Sequence, residues 1–222
     1  MRVQPAQKVL VIGRTGQVAQ ALGHAGAGRV VNMGRPELDL RDPDSLMRAI
    51  DRHMPDVVIN AAGFTKVDQA EAEPAEAESL NVDGPLALAI ACRSAGIPFI
   101  HMSTDCVFDG EMARPYRPDD LTRPLSVYGH SKLRGELAVA DVLDQHLIVR
   151  VSWVFSHYAA NFVRTMLALA RTRERVKVVS DQIGFPTHAP ALADGLLAMA
   201  DAICAEHFSK WGIYHIAGKG ET

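Results

Sequence analysis

Five short apolar runs recur along the chain: Lys8–Ile12, Arg29–Met33, Asp56–Asn60, Pro98–Ser103 and Leu147–Val151. They are rich in β-branched residues and mostly lack in–out alternation, as expected of strands covered on both faces. Helix-forming sequence fills the gaps, and parallel neighbours need such crossovers. Asp42-Pro43 reads as the N-cap and first residue of a helix to about His53, and Glu71–Ala95 as a helix closed by Gly96, with starts or breaks at Pro74 and Gly84-Pro85. The rhythm predicts an α/β protein built on a doubly wound parallel sheet. Beyond the fifth run, Asn161–Arg173 and Ala191–Glu206 read as helices, and Lys177–Val179 and Ile213–Ile216 as short strands.

Composition narrows the classes of function. Of 222 residues 48% are hydrophobic and 22% charged, which fits a soluble globular domain. The net charge is −3 with no basic block, so nucleic acid is not the expected partner. Cys92, Cys106 and Cys204 lack metal or disulfide spacing, which points to a reducing compartment. Met1–Gln7 is too short and too polar for a signal peptide, and no apolar stretch reaches membrane-spanning length. A cytoplasmic protein with no membrane partner is expected.

Gly13-x-x-Gly16-x-x-Ala19 lies between the first strand and the first helix, where a dinucleotide fingerprint belongs. Small residues let the backbone approach a pyrophosphate, and the helix N-terminus offers free N–H groups. The alternative is a tight turn that needs glycine for geometry alone. The second strand ends at Met33-Gly34-Arg35 rather than at an acid. Arg14 and Arg35 near the adenosine ribose would favour a 2′-phosphate, so NADPH is preferred slightly over NADH. The alternative for both arginines is a solvated surface role. Asp39 and Leu40 follow as candidate lining of the adenine pocket.

Ser103-Thr104-Asp105 closes the fourth run, and ligands of open α/β sheets sit outside the carboxyl ends of the strands. Tyr128-x-x-x-Lys132 follows, and on a helix its two side chains share one face. An ammonium beside a phenol favours phenolate, lowering a pKa that is ordinarily about 10. The relay expected is Thr104 orienting a carbonyl oxygen, Tyr128 protonating it, and Lys132 holding the nicotinamide ribose while depressing the Tyr128 pKa.

These motifs in this order resemble the extended short-chain dehydrogenase/reductase family, in its branch acting on nucleotide sugars. The resemblance also runs through Asn60–Asp68, Ser103–Gly110, Arg150–Phe155, Asp181–Thr187 and Tyr214-His215. It implies a Rossmann-like sheet with cofactor contacts at Gly16, Gln17, Val18, Asp39, Leu40, Ala62, Gly63, Phe64, Thr65, Tyr128 and Lys132. It implies sugar contacts at Thr104, Asp105 and Trp153, although core packing after a strand is an alternative for Trp153. Asn81 matches a helix position that supports an active-site water network, or else is a surface Asn.

The implied activity is NAD(P)H-dependent reduction of the 4-keto group of a dTDP-ketosugar, dTDP-4-dehydro-L-rhamnose, to dTDP-L-rhamnose for cell-surface polysaccharide. The alternatives are a nucleotide-sugar epimerase or dehydratase of the same fold, or a non-catalytic regulatory subunit like that of methionine adenosyltransferase. Cys106 stands where related dehydratases place Glu, which disfavours elimination of water. The expected organisation is a Rossmann domain with the catalytic residues over 1–155. Residues 156–222 would form a partial substrate-binding region interleaved with the last sheet elements, cut short relative to the family. The resemblance admits a homodimer, and no metal is expected.

Overall fold

The computed structural model describes residues 8–205 and 207–219. The expected absence of a leader in Met1–Gln7 and the end of a helix at Glu206 lie outside the described residues.

The chain runs β1 (Val9–Ile12), α1 (Gln17–Ala25), β2 (Val30–Met33), α2 (Pro43–His53), β3 (Val57–Asn60), α3 (Val67–Ala72), α4 (Pro74–Glu78), a π-helical turn (Ser79–Asp83) and α5 (Gly84–Ala95). It continues with β4 (Phe99–Thr104), a 3-10 turn (Asp105–Val107), α6 (Val127–Val142), β5 (His146–Val151), β6 (Val154–Phe155), α7 (Phe162–Ala170), β7 (Thr187–His188), α8 (Ala189–Ile203) and β8 (Gly212–Ile216). Six strands form one sheet in the order β2-β1-β3-β4-β5-β8. Every pairing in it is parallel, with Ile12 beside both Met33 and Asn60.

Both faces of the sheet are buried, which is why its strands read as continuous apolar runs. Val9, Val11, Val57 and Ile59 point to one side and pack with Ala19 and Leu22 of α1 and Leu192 and Leu196 of α8. Leu10, Ile12, Val58 and Phe99 point to the other and meet Leu46 and Ile50 of α2, Leu88 and Cys92 of α5 and Val139 of α6. Burying a side chain of this size contributes about 1.5–3 kcal/mol. After β1 the chain steps outward to β2, then crosses back to β3 on the far side of β1. That crossing is the topological switch point, and a crevice opens there beyond the strand ends.

Local signals set the helix ends. Asp42 caps α2, its side chain accepting from the Asp44 N–H, with Pro43 at the first helical position. Ser126 caps α6 by accepting from the Gly129 N–H. Gly96 closes α5 with φ 67°, a left-handed conformation that glycine adopts without steric cost.

Two expectations are corrected. The helix read from Glu71 begins at Val67, and Glu73-Pro74 interrupts it. Gly84-Pro85 is a start: α5 begins there directly from the π-helical turn, where the missing proline N–H costs little. Lys177–Val179 is not a strand. It runs irregularly with Val178 and Val179 exposed, because no sheet edge lies alongside to accept its backbone bonds.

Candidate active site

The glycine loop follows β1 and faces the switch point. A methyl group on Gly13 would lie 3.2 Å from both the Ala19 side chain and the Ala61 backbone, and its φ is +139°. Only glycine therefore lets the β1 and β3 loops approach so closely. Gly16 caps α1 with no side-chain hydrogen bond to the first turn. The leading N–H groups of α1 thus face the crevice without an internal acceptor, a fit for a pyrophosphate.

Arg14 lies against Gly34, where an added Cβ would meet the Arg14 side chain at 3.1 Å, so Arg14 stands at the β2 end next to Arg35. Both arginines are exposed, and Arg14 donates to Glu37 at 2.8 Å. Asp39 is held by a two-point contact with Arg41, which keeps its pKa down at about 2.

Two expected cofactor residues turn their side chains to partners within the chain. Leu40 is buried in the core, its side chain packed against Gly84. The Gln17 amide is spent on the chain beyond β5: it donates to the Val154 carbonyl at 3.0 Å and accepts from Ser156 at 2.8 Å and Asn161 at 3.0 Å. Only the backbone of Gln17 remains for a cofactor. Val18 is half-buried against the core, and Thr65 is exposed.

The β3 loop connects the two ends of the crevice. The Ala62 N–H donates to the Asn60 side chain at 3.0 Å. A Cβ on Gly63 would stand 2.8 Å from Asn81 Oδ1 and 4.0 Å from Lys132 Nζ. Asn81 is no surface residue. It is fully buried, accepting from the Phe64 N–H and donating to the Phe64 carbonyl and to Ser131 Oγ at 2.9 Å. It ties the cofactor loop to α6 from the π-helical turn.

Thr104, at the last position of β4, accepts from the Cys106 N–H at 3.2 Å and donates to Asp105 Oδ1 at 3.0 Å. Tyr128 and Lys132 are both buried on α6. Lys132 Nζ donates to the Met102 carbonyl at 2.7 Å, and burial lowers its pKa to about 8. The expected lowering of the Tyr128 pKa is not found. Burial pushes the phenol up, with the Cys106 and Asp105 charges adding to the rise, and a hydrogen bond with Thr104 only partly offsets it. Desolvation disfavours the charged phenolate, and it is the largest cause of the rise. Burial also raises Asp105 and the Cys106 thiol.

Trp153 sits just beyond β5 with φ 44° and is partly exposed. Its indole lies on Gly184, where a Cβ would come within 2.6 Å of the ring. Core packing is therefore not its role; it forms part of a surface with the 181–187 segment. At the neighbouring strand end His215 donates from Nδ1 to the Tyr116 carbonyl at 3.1 Å. Tyr116 stacks on Phe108, and the Arg150 guanidinium lies over that ring at 5.0 Å.

Sequence reading missed Ser103, Glu136 and Arg150. Arg150 donates to both oxygens of Glu136, at 2.9 and 2.7 Å, and Ser103 Oγ donates to the same carboxylate. A signal existed: Tyr128, Lys132 and Glu136 continue a four-residue spacing along α6.

A family model described as the RmlD substrate binding domain matches residues 7–222. The chain belongs to that family. Among similar RmlD-family relatives, a dTDP-4-dehydrorhamnose reductase of Burkholderia thailandensis is 45% identical over 97% of this chain and 74% of its own length. The dTDP-4-dehydrorhamnose reductase of Sinorhizobium fredii is 42% identical over 97% of this chain and 74% of its own length. The solved structure of a Bacillus anthracis dTDP-4-dehydrorhamnose reductase in complex with NADP superposes with a TM-score of 0.89 at 31% identity. It covers 97% of this chain and 75% of that one. The RmlD-family chain thus spans about three quarters of the length of these relatives.

Proposed function

We propose that this RmlD-family chain reduces the 4-keto group of dTDP-4-dehydro-L-rhamnose to dTDP-L-rhamnose, using NADPH or NADH. The observation that carries the reading is the gathering of Thr104, Tyr128 and Lys132 at the carboxyl edge of the sheet, beside an α1 N-terminus with no side-chain cap. The relatives of that name, and the NADP complex of one of them, support it. Arg14 and Arg35 at the β2 end support NADPH over NADH.

The bound nicotinamide supplies the hydride that reaches C4 of the sugar. The chain supplies orientation and the proton. The α1 N-terminus and the Gly13 turn hold the pyrophosphate, and Lys132 turns to the nicotinamide ribose. Thr104 releases Asp105 to donate its hydroxyl to the ketone oxygen. Tyr128, whose raised pKa keeps it protonated at neutral pH, gives its proton to the alkoxide that develops there. The Lys132 ammonium then returns a proton to the phenolate, and solvent restores the lysine. Cys106 remains a neutral thiol because its pKa is raised, so no acid stands where a dehydratase needs one.

In this reading residues 1–155 hold the cofactor and the catalytic groups, while 156–222 contribute the sugar side. Reduced nicotinamide and dTDP-sugars are cytoplasmic metabolites, which supports that location. Among the described residues no helix is long and apolar enough to cross a membrane. The product would feed cell-surface polysaccharide.

The test is oxidation of NADPH and of NADH, assayed separately, with dTDP-4-dehydro-L-rhamnose generated in the cuvette. Tyr128→Phe should bind cofactor as wild type does and lose about 10²–10⁴-fold in turnover. Wild-type turnover by Tyr128→Phe would overturn the proposed proton donor.

A further inference from the structure

Glu136 stands one helical turn beyond Lys132, on the same face of α6. Its carboxylate is already committed, to Arg150 of β5 through two bonds and to Ser103 of β4. The side chains of Arg150 and Glu136 are 4% and 2% exposed, the most shielded ion pair found among the described residues. A buried ion pair of this kind adds little over an apolar pair of equal volume, so its stability alone does not account for it.

Lys132 lies in the same dry layer with a neutral partner, the Met102 carbonyl. Burial drives its pKa down, and Glu136 is the group that opposes the fall. A direct Lys132–Glu136 pair would keep the ammonium charged but would also capture it, leaving it poorly placed to reach a ribose hydroxyl. Arg150 and Ser103 occupy the carboxylate oxygens instead, and the negative charge acts on Lys132 through space. Inside a protein such a charge still acts over several ångströms without contact.

We propose that Glu136 is a positioning residue for the reduction: clamped by Arg150 and Ser103, its carboxylate keeps the Lys132 ammonium charged without binding it. This rests on the role given to Lys132 above. The other titratable or charged groups on the elements packed around Lys132 are accounted for. On α6 they are Tyr128, His130, Arg134 and Asp141. On the 3-10 turn stand Asp105 and Cys106, and on β4 His101, fully buried and pushed well below its ordinary pKa by burial and by the Lys132 charge itself. On β5 they are His146 and Arg150. Behind the helix, Asp68 and Glu71 of α3, Asp83 and Arg93 are exposed, whereas Glu76 and Glu78 of α4 are half-buried and paired with Arg41 and Arg134. None of these except Glu136 raises Lys132.

The test follows Lys132 directly. The full chain, labelled with 13C at lysine Cε and free of cofactor, is titrated by NMR, and the Lys132 resonance is assigned by its loss in Lys132→Met. The wild-type midpoint should lie at about 8. In Glu136→Gln it should fall by about one pH unit or more, and the alkaline limb of the pH–turnover profile should move down with it. Glu136→Gln/Arg150→Met leaves no lone buried charge at the clamp and should fold if the single variant does not; its midpoint should fall likewise. A Lys132 midpoint unmoved in either folded variant overturns the proposal. A midpoint that falls while the pH–turnover profile stays put overturns instead the catalytic role of Lys132 on which it rests.

Discussion

Gly135→Ala sets two predictable effects against each other. Gly135 lies inside α6, between the turn that carries Lys132 and the end of the helix. By helix propensity alone the change should stabilise the chain by about 1 kcal/mol. The packing says otherwise, since the new Cβ would lie 2.0 Å from the Asn81 carbonyl oxygen, a backbone atom of the π-helical turn. From 2.0 Å to the 3.4 Å of an ordinary contact is 1.4 Å, and no side-chain rotation can supply it. Overpacking costs about 1–3 kcal/mol, and a backbone partner puts this case at the upper end. The net loss should be about 2 kcal/mol, lowering Tm by roughly 4–8 °C for a chain of this size.

The same displacement has a second readout. It moves α6 against the turn bearing Asn81, and Tyr128 and Lys132 travel with the helix. A misplacement of about 1 Å costs on the order of 100-fold in rate. Thermal melts by circular dichroism and ketosugar-dependent NADPH oxidation measure the two effects. An unchanged or higher Tm would refute the close approach of α6 to the π-helical turn.

Lys132→Met should abolish most turnover yet raise stability at neutral pH. The native pKa of about 8 lies below the unfolded value of 10.5, so the charge destabilises the fold fully below pH 8, and this is relieved as pH rises toward 10.5. That gap corresponds to about 3 kcal/mol, and losing the Met102 hydrogen bond offsets about 1. Urea unfolding at pH 7 should therefore show Lys132→Met more stable by about 2 kcal/mol, with the advantage gone near pH 10.5. Gly184→Ala should push the Trp153 indole off its seat, raising KM for the ketosugar several-fold while leaving the Kd for NADPH as in wild type. Steady-state kinetics and cofactor titration separate the two constants, and an unchanged KM would refute the contact.

The sheet was legible because its signals are local. Each strand announced itself by a β-branched run, and the glycine loop and the Tyr128–Lys132 spacing needed only neighbouring residues. What sequence could not supply was environment. The sign of the Tyr128 shift depends on how much protein closes over the phenol, and a four-residue spacing says nothing of that. Gln17 and Leu40 lie in the right loops, but their side chains turn to partners far along the chain. Arg150 and Glu136 meet only because β5 and α6 are neighbours in space. Lys177–Val179 has a strand's composition and no edge to join.

The π-helical turn at Ser79–Asp83 has a consequence for register. Its wider winding accommodates one residue more than an α-helical turn would. Before it, Ala70 and Ala77 look toward Phe64 and Tyr128; after it, Leu88 and Cys92 look toward the sheet. One nearly continuous helical run thereby serves two different surfaces. Deleting Ser79 or Leu80 would let α-helical winding resume and swing Asn81 by about 100° relative to the preceding helix, out of reach of Phe64 and Ser131. The length of this segment is therefore as constrained as any side chain in the site.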